Sequence, residues 1–267
     1  MSTILDKIVA QTRQTVAQSA AEKPLAEVQR NAQRAPAPLD FGAALARGDS
    51  VQLIAEVKKA SPSAGIIRED FDPVLIAQTY AQAGAACISV LTDQPFFQGR
   101  LEYLVAIRAA VSIPLLRKDF IVDPYQVYEA RAAGADAVLL IAECLTADQL
   151  KELHQLATEL GMSTLIELYD AENLPAVLAT GGSIVGVNNR DLRTFKTDLQ
   201  HSARMRASIP SDRLLVGESG IRTRQDVEQL AAAGIKAILV GETLMRQPDI
   251  ATAVSALINV PCQQAQP

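Results

Sequence analysis

Tryptophan is missing altogether, and the 267 residues hold only two histidines and three cysteines. Each scarcity removes a class of chemistry. His154 lies in a helical stretch from Ala147 to Leu160, where it suits a surface or boundary position, and with His201 as the only other histidine, imidazole catalysis and a His-rich metal site are set aside. Cys87, Cys144 and Cys262 are odd in number and contain no short Cys pair, which fits neither a disulfide framework nor a zinc site and leaves reduced, structural thiols. No apolar run approaches the roughly 18 residues of a membrane span, the longest in view being Ala137 to Ala142. Asp6, Lys7 and Arg13 interrupt the apolar stretch that a secretory signal needs, so a cytoplasmic protein is expected. Charge of one sign is also scarce: 25 basic against 30 acidic residues leave −5, spread without a basic stripe that would grip nucleic acid or an anionic membrane. A small molecule is the expected partner.

What remains is an ordinary globular composition, 49% hydrophobic and 21% charged. The length admits one large domain or two ordinary ones. Residues 1–48 read as a helical extension: Ile4, Ile8, Val9 and Val16 recur at near-helical spacing, and after Pro36 and Pro38 a second short helix is expected around Phe41 to Ala46. From Val51 the texture changes to eight short apolar runs centred near Ile54, Ile88, Leu115, Val138, Leu165, Val185, Leu215 and Ile238. Their mean spacing of about 26 residues suits one strand plus one helix and leaves no room for a separate domain. Gly84, Gly134 and Gly234 stand in equivalent places, each expected to end a helix before the next run. Because runs such as Ala137-Val-Leu-Leu-Ile lack polar alternation, the strands should be covered on both faces. The expected fold is therefore α/β, a (β/α)8 TIM barrel over residues 49–267 with residues 1–48 packed on it, one domain overall. An open doubly wound sheet is the runner-up, but no Gly-x-Gly-x-x-Gly or Walker-type loop follows the first run.

In such barrels the active site forms where strands end. The polar residues there are Glu56 and Lys58 after the first run, Lys118 after the third, Glu143 after the fourth, Glu167 after the fifth, Asn188 and Arg190 after the sixth, and Glu218 after the seventh. Strand periodicity puts Glu56 and Lys58 on one side, and Asn188 and Arg190 likewise if the strand runs that far. Taken singly, each reads equally well as a solvated tip, and Arg117-Lys118-Asp119 as a plain charge run. Their coincidence at so many strand ends favours a shared mouth whose proton transfer falls to Lys and Glu. Glu143 is the weakest member, since it equally starts the next helix, for which Thr146 is the N-cap candidate. Gly217-Glu-Ser-Gly220 and Val240-Gly-Glu-Thr-Leu-Met245 follow the last two runs, where barrels commonly hold phosphate. Ser219, Gly220 and Gly241 are the phosphate candidates, because glycine lets the backbone approach an anion and helix N-termini offer amides. Glu242 sets a like charge beside them, and its carboxylate is expected to turn away and cap amides.

The strings Glu56-Val-Lys-Lys-Ala-Ser-Pro-Ser63, Leu116-Arg-Lys-Asp-Phe120, Val187-Asn-Asn-Arg-Asp-Leu192 and Gly217-Glu-Ser-Gly-Ile221 together closely resemble the indole-3-glycerol phosphate synthase family of tryptophan biosynthesis. Leu91-Thr-Asp93, Phe96-Phe-Gln-Gly99 and the stretch from Asp123-Pro-Tyr-Gln to Glu143 extend the resemblance over nearly the whole chain. It implies cyclisation of 1-(2-carboxyphenylamino)-1-deoxyribulose 5-phosphate to indole-3-glycerol phosphate, with loss of carbon dioxide and water and no metal or organic cofactor. By matching motif it makes Lys118 the general acid and Glu167 the acid/base group of later steps. Lys58 would contact the substrate carboxylate or phosphate, or act as the acid of dehydration. Glu56 would hold the two lysines charged and placed, and Asn188 would bind substrate hydroxyls or orient Glu167. Arg190 suits an anionic group, Ser61 matches a first-loop serine, and Glu218 with Ser219 matches a substrate-binding pair whose serine donates toward phosphate. Pro62, Phe97 and Phe120 line an apolar slot for the anthranilate ring, or else simply pack the core beside the mouth.

Departures from the family pattern are few. Arg100 replaces a more usual small serine and bears on how the second loop packs, and Leu168-Tyr169 replaces a valine-histidine pair. A polar tail from Cys262 to Pro267 follows the eighth helix, so no fused isomerase domain is expected, and a monomer is expected. Two other readings remain beside this one: a phosphoribosyl isomerase, which would want a Cys or Asp acid/base pair, and a non-catalytic phosphosugar-binding paralogue, which would be expected to lose Lys118 or Glu167.

Overall fold

The computed structural model describes residues 3–191, 193 and 196–262; Leu192, which ends the third family-like string, and the tail after Cys262 lie outside the described residues. Three helices lead in: α1 (Ile4–Glu22), α2 (Leu25–Arg34) and α3 (Phe41–Leu45). Thr3 and Asp6 start α1 with reciprocal side-chain-to-amide bonds of 3.1 and 2.8 Å, which satisfy two amides that a helix start otherwise leaves open. The expected helix near Phe41 is present, and α2 adds one that the residue spacing had not singled out.

The strands follow in order: β1 (Gln52–Val57), a two-stranded hairpin of β2 (Ala60–Ser61) and β3 (Gly65–Ile66), then β4 (Cys87–Leu91), β5 (Leu115–Lys118), β6 (Ala137–Ile141), β7 (Ser163–Leu168), β8 (Ile184–Asn188), β9 (Leu214–Glu218) and β10 (Ala237–Val240). Apart from the hairpin, all pair in parallel, and β10 returns to β1 to close an eight-stranded barrel. Each of the eight expected runs is one strand of this ring. Outside it lie α4 (Pro73–Gln82), α6 (Leu101–Ala110), α7 (Pro124–Ala132), α8 (Ala147–Glu159), α9 (Leu174–Ala179), α10 (Gln200–Arg206), α11 (Arg224–Ala232) and α13 (Ile250–Leu257), while the single turns α5 (Gln94–Phe97) and α12 (Glu242–Met245) sit in loops. Gly84, Gly134 and Gly234 have φ of 98°, 89° and 79° after α4, α7 and α11, which only glycine adopts without strain.

Strand parity divides the core in two. Leu53, Ala55 and Val57 of β1, and Ile166 and Leu168 of β7, face the helices, whereas Ile54, Leu116, Leu139, Leu165, Val216 and Leu239 fill the lumen. Phe41 and Leu45 of α3 join this inner cluster, and Ile8 of α1 belongs to it as well. The leading helices are fastened by barrel side chains: Tyr125 Oη donates to Ser19 O and Lys23 O at 3.1 Å each, and Arg131 Nη2 donates to Ala35 O at 2.9 Å. No described helix is long and apolar enough to cross a membrane.

One buried carboxylate ties these parts together. Asp136, 3% exposed, accepts from Leu39 N at 2.7 Å, Leu115 N at 2.7 Å and Arg108 Nη1 at 2.8 Å, linking the lead-in to α3, strand β5 and helix α6. Replacing Asp136 by Ala leaves two amides and a guanidinium without their acceptor. The expected loss is about 3 kcal/mol, measured by urea unfolding; a loss within about 0.5 kcal/mol would show that this junction holds nothing.

Candidate functional site

A cavity of about 490 Å³ opens at the carboxyl ends of the strands, within the range usual for small-molecule sites. Every site residue singled out in the sequence except Glu143 lines it: Glu56, Lys58, Ser61, Pro62, Phe97, Lys118, Phe120, Glu167, Asn188, Arg190, Glu218, Ser219, Gly220, Gly241 and Glu242. The two-residue repeat explains the convergence, because Lys118, Glu167, Asn188 and Glu218 are the last inward positions of their strands.

Lys118 is the centre of charge. Its Nζ lies 3.2 Å from Glu167 Oε2 and 3.7 Å from Glu218 Oε2. Burial alone would lower its pKa, but Glu167, Glu218 and Glu56 outweigh that and hold it above the ordinary lysine range, so it stays an ammonium. Lys58 Nζ meets Glu56 Oε2 at 2.5 Å. Burial opposes ionisation of Glu56, yet Lys58, Lys118 and Arg190 keep its pKa below the usual glutamate value. Glu218 behaves oppositely: burial and the Glu167 carboxylate push its pKa well above that value against the pull of Lys118, which favours its protonated form. Glu218, expected to bind substrate beside Ser219, lines the cavity and also approaches Lys118, with its Oε1 buried and without a hydrogen-bond partner.

Asn188 Nδ2 donates to Glu167 Oε1 at 3.0 Å, and Asn188 Oδ1 accepts from Arg190 N at 3.0 Å, so between its two alternatives the geometry favours orienting Glu167. Two glycines give the carboxylates room. A Cβ on Gly186 would meet Glu218 Oε1 at 2.3 Å, and one on Gly241 would meet Glu56 Oε2 at 2.1 Å. Gly241, read from sequence as an anion contact, is thus already required by Glu56.

The far end of the cavity carries the backbone and arginines. Ser219 and Gly220 take φ of 66° and 80°, and this bend is fixed by Asn189 Nδ2 on Ser219 O at 3.2 Å and Thr243 Oγ1 on Ile221 O at 2.7 Å. Glu242 caps no amide among the described residues. Its carboxylate is taken by Arg246 Nε and Nη2 at 2.9 Å and faces Arg190 Nη2 at 3.8 Å, because two guanidiniums compete better for it than amides do. Arg190 Nη1 also donates to Ser63 Oγ at 2.9 Å, and Ser61 Oγ accepts from Ala64 N at 3.2 Å. On the opposite side Phe97 and Phe120 sit 6.1 Å apart by ring centroid, with Ile4, Leu5 and Ile8 of α1 completing an apolar wall. Pro62 lies at the exposed rim.

Several expectations fall elsewhere. Glu143 lies outside the cavity lining, where its Oε1 accepts from Tyr169 N, Asp170 N and Asn173 Nδ2 at 2.8, 3.0 and 2.9 Å and so anchors the loop after Glu167; Thr146 does cap α8. Arg100 is exposed at the start of α6 and Tyr169 stacks on His201 at 4.5 Å, neither lining the cavity. His154 is half-buried and bonds Thr164 Oγ1 at 2.8 Å. The cysteines are free. Arg117 and Asp119 are no charge run, being 4% and 8% exposed and paired at 3.1 Å. Sequence reasoning missed Arg222, Arg246, Ser63 and the α1 wall. For the two arginines a signal existed, since each lies just beyond a phosphate-candidate glycine in the same loop. Among the described residues no three His, Cys, Asp or Glu side chains converge as metal ligands.

A family model described as indole-3-glycerol phosphate synthase matches residues 5–257. The chain is 64% identical over 256 residues to the indole-3-glycerol phosphate synthase of Rhodopirellula baltica, covering 96% of this chain and 99% of that one. With the indole-3-glycerol phosphate synthase of Albidiferax ferrireducens the identity is 49%, covering 96% and 98%. Among solved structures, 3-hexulose-6-phosphate synthase from Salmonella typhimurium aligns with a TM-score of 0.64 at 14% identity, over 78% of this chain and 96% of that one, a likeness of fold alone.

The raised pKa of Glu218 has a measurable sign. Below the ordinary glutamate pKa both folded and unfolded chains hold the proton; above it the unfolded chain releases the proton first, so stability is lost as pH rises toward the raised folded value. Glu218→Gln removes that loss. As pH rises from about 5 the variant should gain Tm relative to the parent chain, and a difference in Tm that does not change with pH would show that the Glu218 pKa is not raised.

Proposed function

The chain belongs to the indole-3-glycerol phosphate synthase family, and on that premise we propose how its side chains carry the reaction. The enzyme is a decarboxylating lyase of tryptophan biosynthesis that acts on a small phosphosugar-like substrate. In our reading the anthranilate ring of 1-(2-carboxyphenylamino)-1-deoxyribulose 5-phosphate lies between Phe97, Phe120 and the α1 wall, and its phosphate meets Ser219, Gly220, the Gly241 backbone and the arginine-bearing rim. Pro62 and Ser61 border the entrance.

Lys118 is the general acid. As the ring carbon bearing the carboxylate bonds to the ketone carbon, the Lys118 ammonium protonates the carbonyl oxygen, and loss of carbon dioxide restores the aromatic ring. The new hydroxyl then leaves as water on a proton from the Lys58 ammonium, which pairs with Glu56, while Glu167 takes the proton from the methylene carbon beside nitrogen. Glu56 keeps Lys58 in place, Asn188 aims Glu167, and Arg190 meets an anionic group through its planar fork. These steps need only side-chain acids and bases. The same reading takes the chain as one cytoplasmic domain, residues 1–48 packed on 49–267, working as a monomer. The single observation that carries it is Lys118, an ammonium held between Glu167 and Glu218 at the mouth of an apolar-walled cavity. A non-catalytic paralogue is not favoured, since both members of the proton-transfer pair are present and joined, nor is an isomerase, since a lysine follows β1 and another ends β5 where it would want a Cys or Asp pair.

The absence of tryptophan gives a direct test. Mixed with the substrate and a chelator, the protein should generate indole fluorescence over a tyrosine background, and Lys118→Ala should lower turnover by about a thousandfold with substrate still bound. No indole from the parent chain would end the synthase reading, and near-normal turnover in the variant would remove Lys118 from its role. Arg190→Ala should raise KM by about tenfold or more with a smaller effect on kcat; a fall in kcat alone would show that Arg190 meets no anion of the bound substrate.

A further inference from the structure

Lys118 has a second set of neighbours behind the sheet. Arg117 points outward, beneath α7, and its partners across the strands, Val90 and Val138, are apolar. A charged side chain only 4% exposed in that layer is costly unless every donor is met. Here each guanidinium nitrogen has a partner: Arg117 Nε donates to Thr92 Oγ1 at 3.1 Å, Nη1 to Gln126 O at 2.9 Å, and Nη2 to Asp119 Oδ2 at 3.1 Å and Glu129 Oε2 at 2.8 Å. Thr92, 7% exposed, closes the ring by donating to Asp119 Oδ2 at 2.5 Å.

The ring is threaded through the catalytic segment. Thr92 N donates to Lys118 O at 3.1 Å, so the same threonine holds the Lys118 backbone and bridges the side chains on either side of it. Asp119 Oδ1 accepts from Phe120 N at 2.8 Å, and Gln126 binds Phe120 O at 3.0 Å and Val122 N at 2.9 Å. The residue after Thr92, Asp93, caps α5 through Phe96 N and Phe97 N at 2.8 and 3.1 Å, which carries the fastening to the second aromatic ring. Hydrophobic packing would cover the outside of β5 at less cost, but would not define where residues 118 and 120 stand.

We propose that Thr92 and Arg117, acting through Asp119, are positioning residues for the reaction, setting Lys118 and Phe120 from behind the sheet without touching substrate. Thr92 and Arg117 do not line the cavity, whereas Asp119 reaches it. The proposal rests on the reading of Lys118 as general acid. It extends that reading to a layer of side chains outside the barrel lumen.

Thr92→Val keeps the side-chain volume and deletes the hydroxyl, while Thr92→Ser keeps the hydroxyl. With indole formation as the readout, Thr92→Val should lower kcat by about tenfold to a hundredfold, as expected for a small displacement of a catalytic group, with KM within about twofold. Thr92→Ser should restore kcat to within about threefold of the parent. In a Lys118→Ala background the valine substitution should cost far less, since the part of its effect that passes through Lys118 is already lost. Should Thr92→Val fail to fold, Arg117→Lys, which keeps the charge and loses the fork, should show the same fall in kcat. An unchanged kcat, a matching loss in Thr92→Ser, or a full effect persisting in the Lys118→Ala background would overturn the proposal. A parent chain that makes no indole would remove the synthase reading and this proposal together, an outcome distinct from an active parent with an indifferent Thr92→Val.

Discussion

An ammonium and three carboxyl groups share the end of a closed, apolar lumen, where an uncompensated charge costs several kcal/mol. That balance constrains everything around it. Lys118 remains charged because Glu167, Glu218 and Glu56 face it, Glu56 remains charged because Lys58 and Lys118 face it, and the surplus negative charge raises the pKa of Glu218. Close approach of these groups depends in turn on Gly186 and Gly241, whose missing side chains are the space that Glu218 and Glu56 occupy. A barrel without edges supplies the rigidity, since each inward residue is held by strands on both sides.

The rest of the molecule sets access and placement. The first helix gives one wall of the cavity and the third plugs the lumen, so the lead-in segment touches both chemistry and core, fastened by Tyr125, Arg131 and Asp136. Arg190 joins three loops: its amide rests on Asn188, its guanidinium reaches Ser63 after the first strand and faces Glu242 after the last. A group that binds such an arginine therefore meets a site already spanned across the mouth. Behind the sheet, the Arg117 ring fixes the segment that carries the central lysine.

Much of this was legible in the sequence. Period, spacing and the repeated Gly84, Gly134 and Gly234 gave the barrel, because helix ends and strand alternation are local effects. Strand-end position and family-like strings together picked out residues that all line one cavity, with Glu143 the exception. It was misjudged because the strand-end rule cannot tell whether a carboxylate turns toward the mouth or toward the amides of the next loop. Glu218 was found, but its approach to Lys118 was not legible, since a contact between β5 and β9 depends on closure of the ring. For Arg117 and Asp119 a plain charge run stayed open as an alternative, because burial under α7 is invisible without the helix in place.

By itself, then, the sequence determined the alternation of eight strands with helices, the inward parity of Lys118, Glu167, Asn188 and Glu218, and the glycines that end the helices, all consequences of neighbours a few residues apart. Only the tertiary structure decided which carboxyl has its pKa raised, why Gly241 must be glycine, where Glu242 turns and what lies behind Lys118. Those outcomes depend on distances between strands and helices far apart in the chain. Coulomb interaction and burial act through space, and closing the ring is what brings the groups within reach of one another.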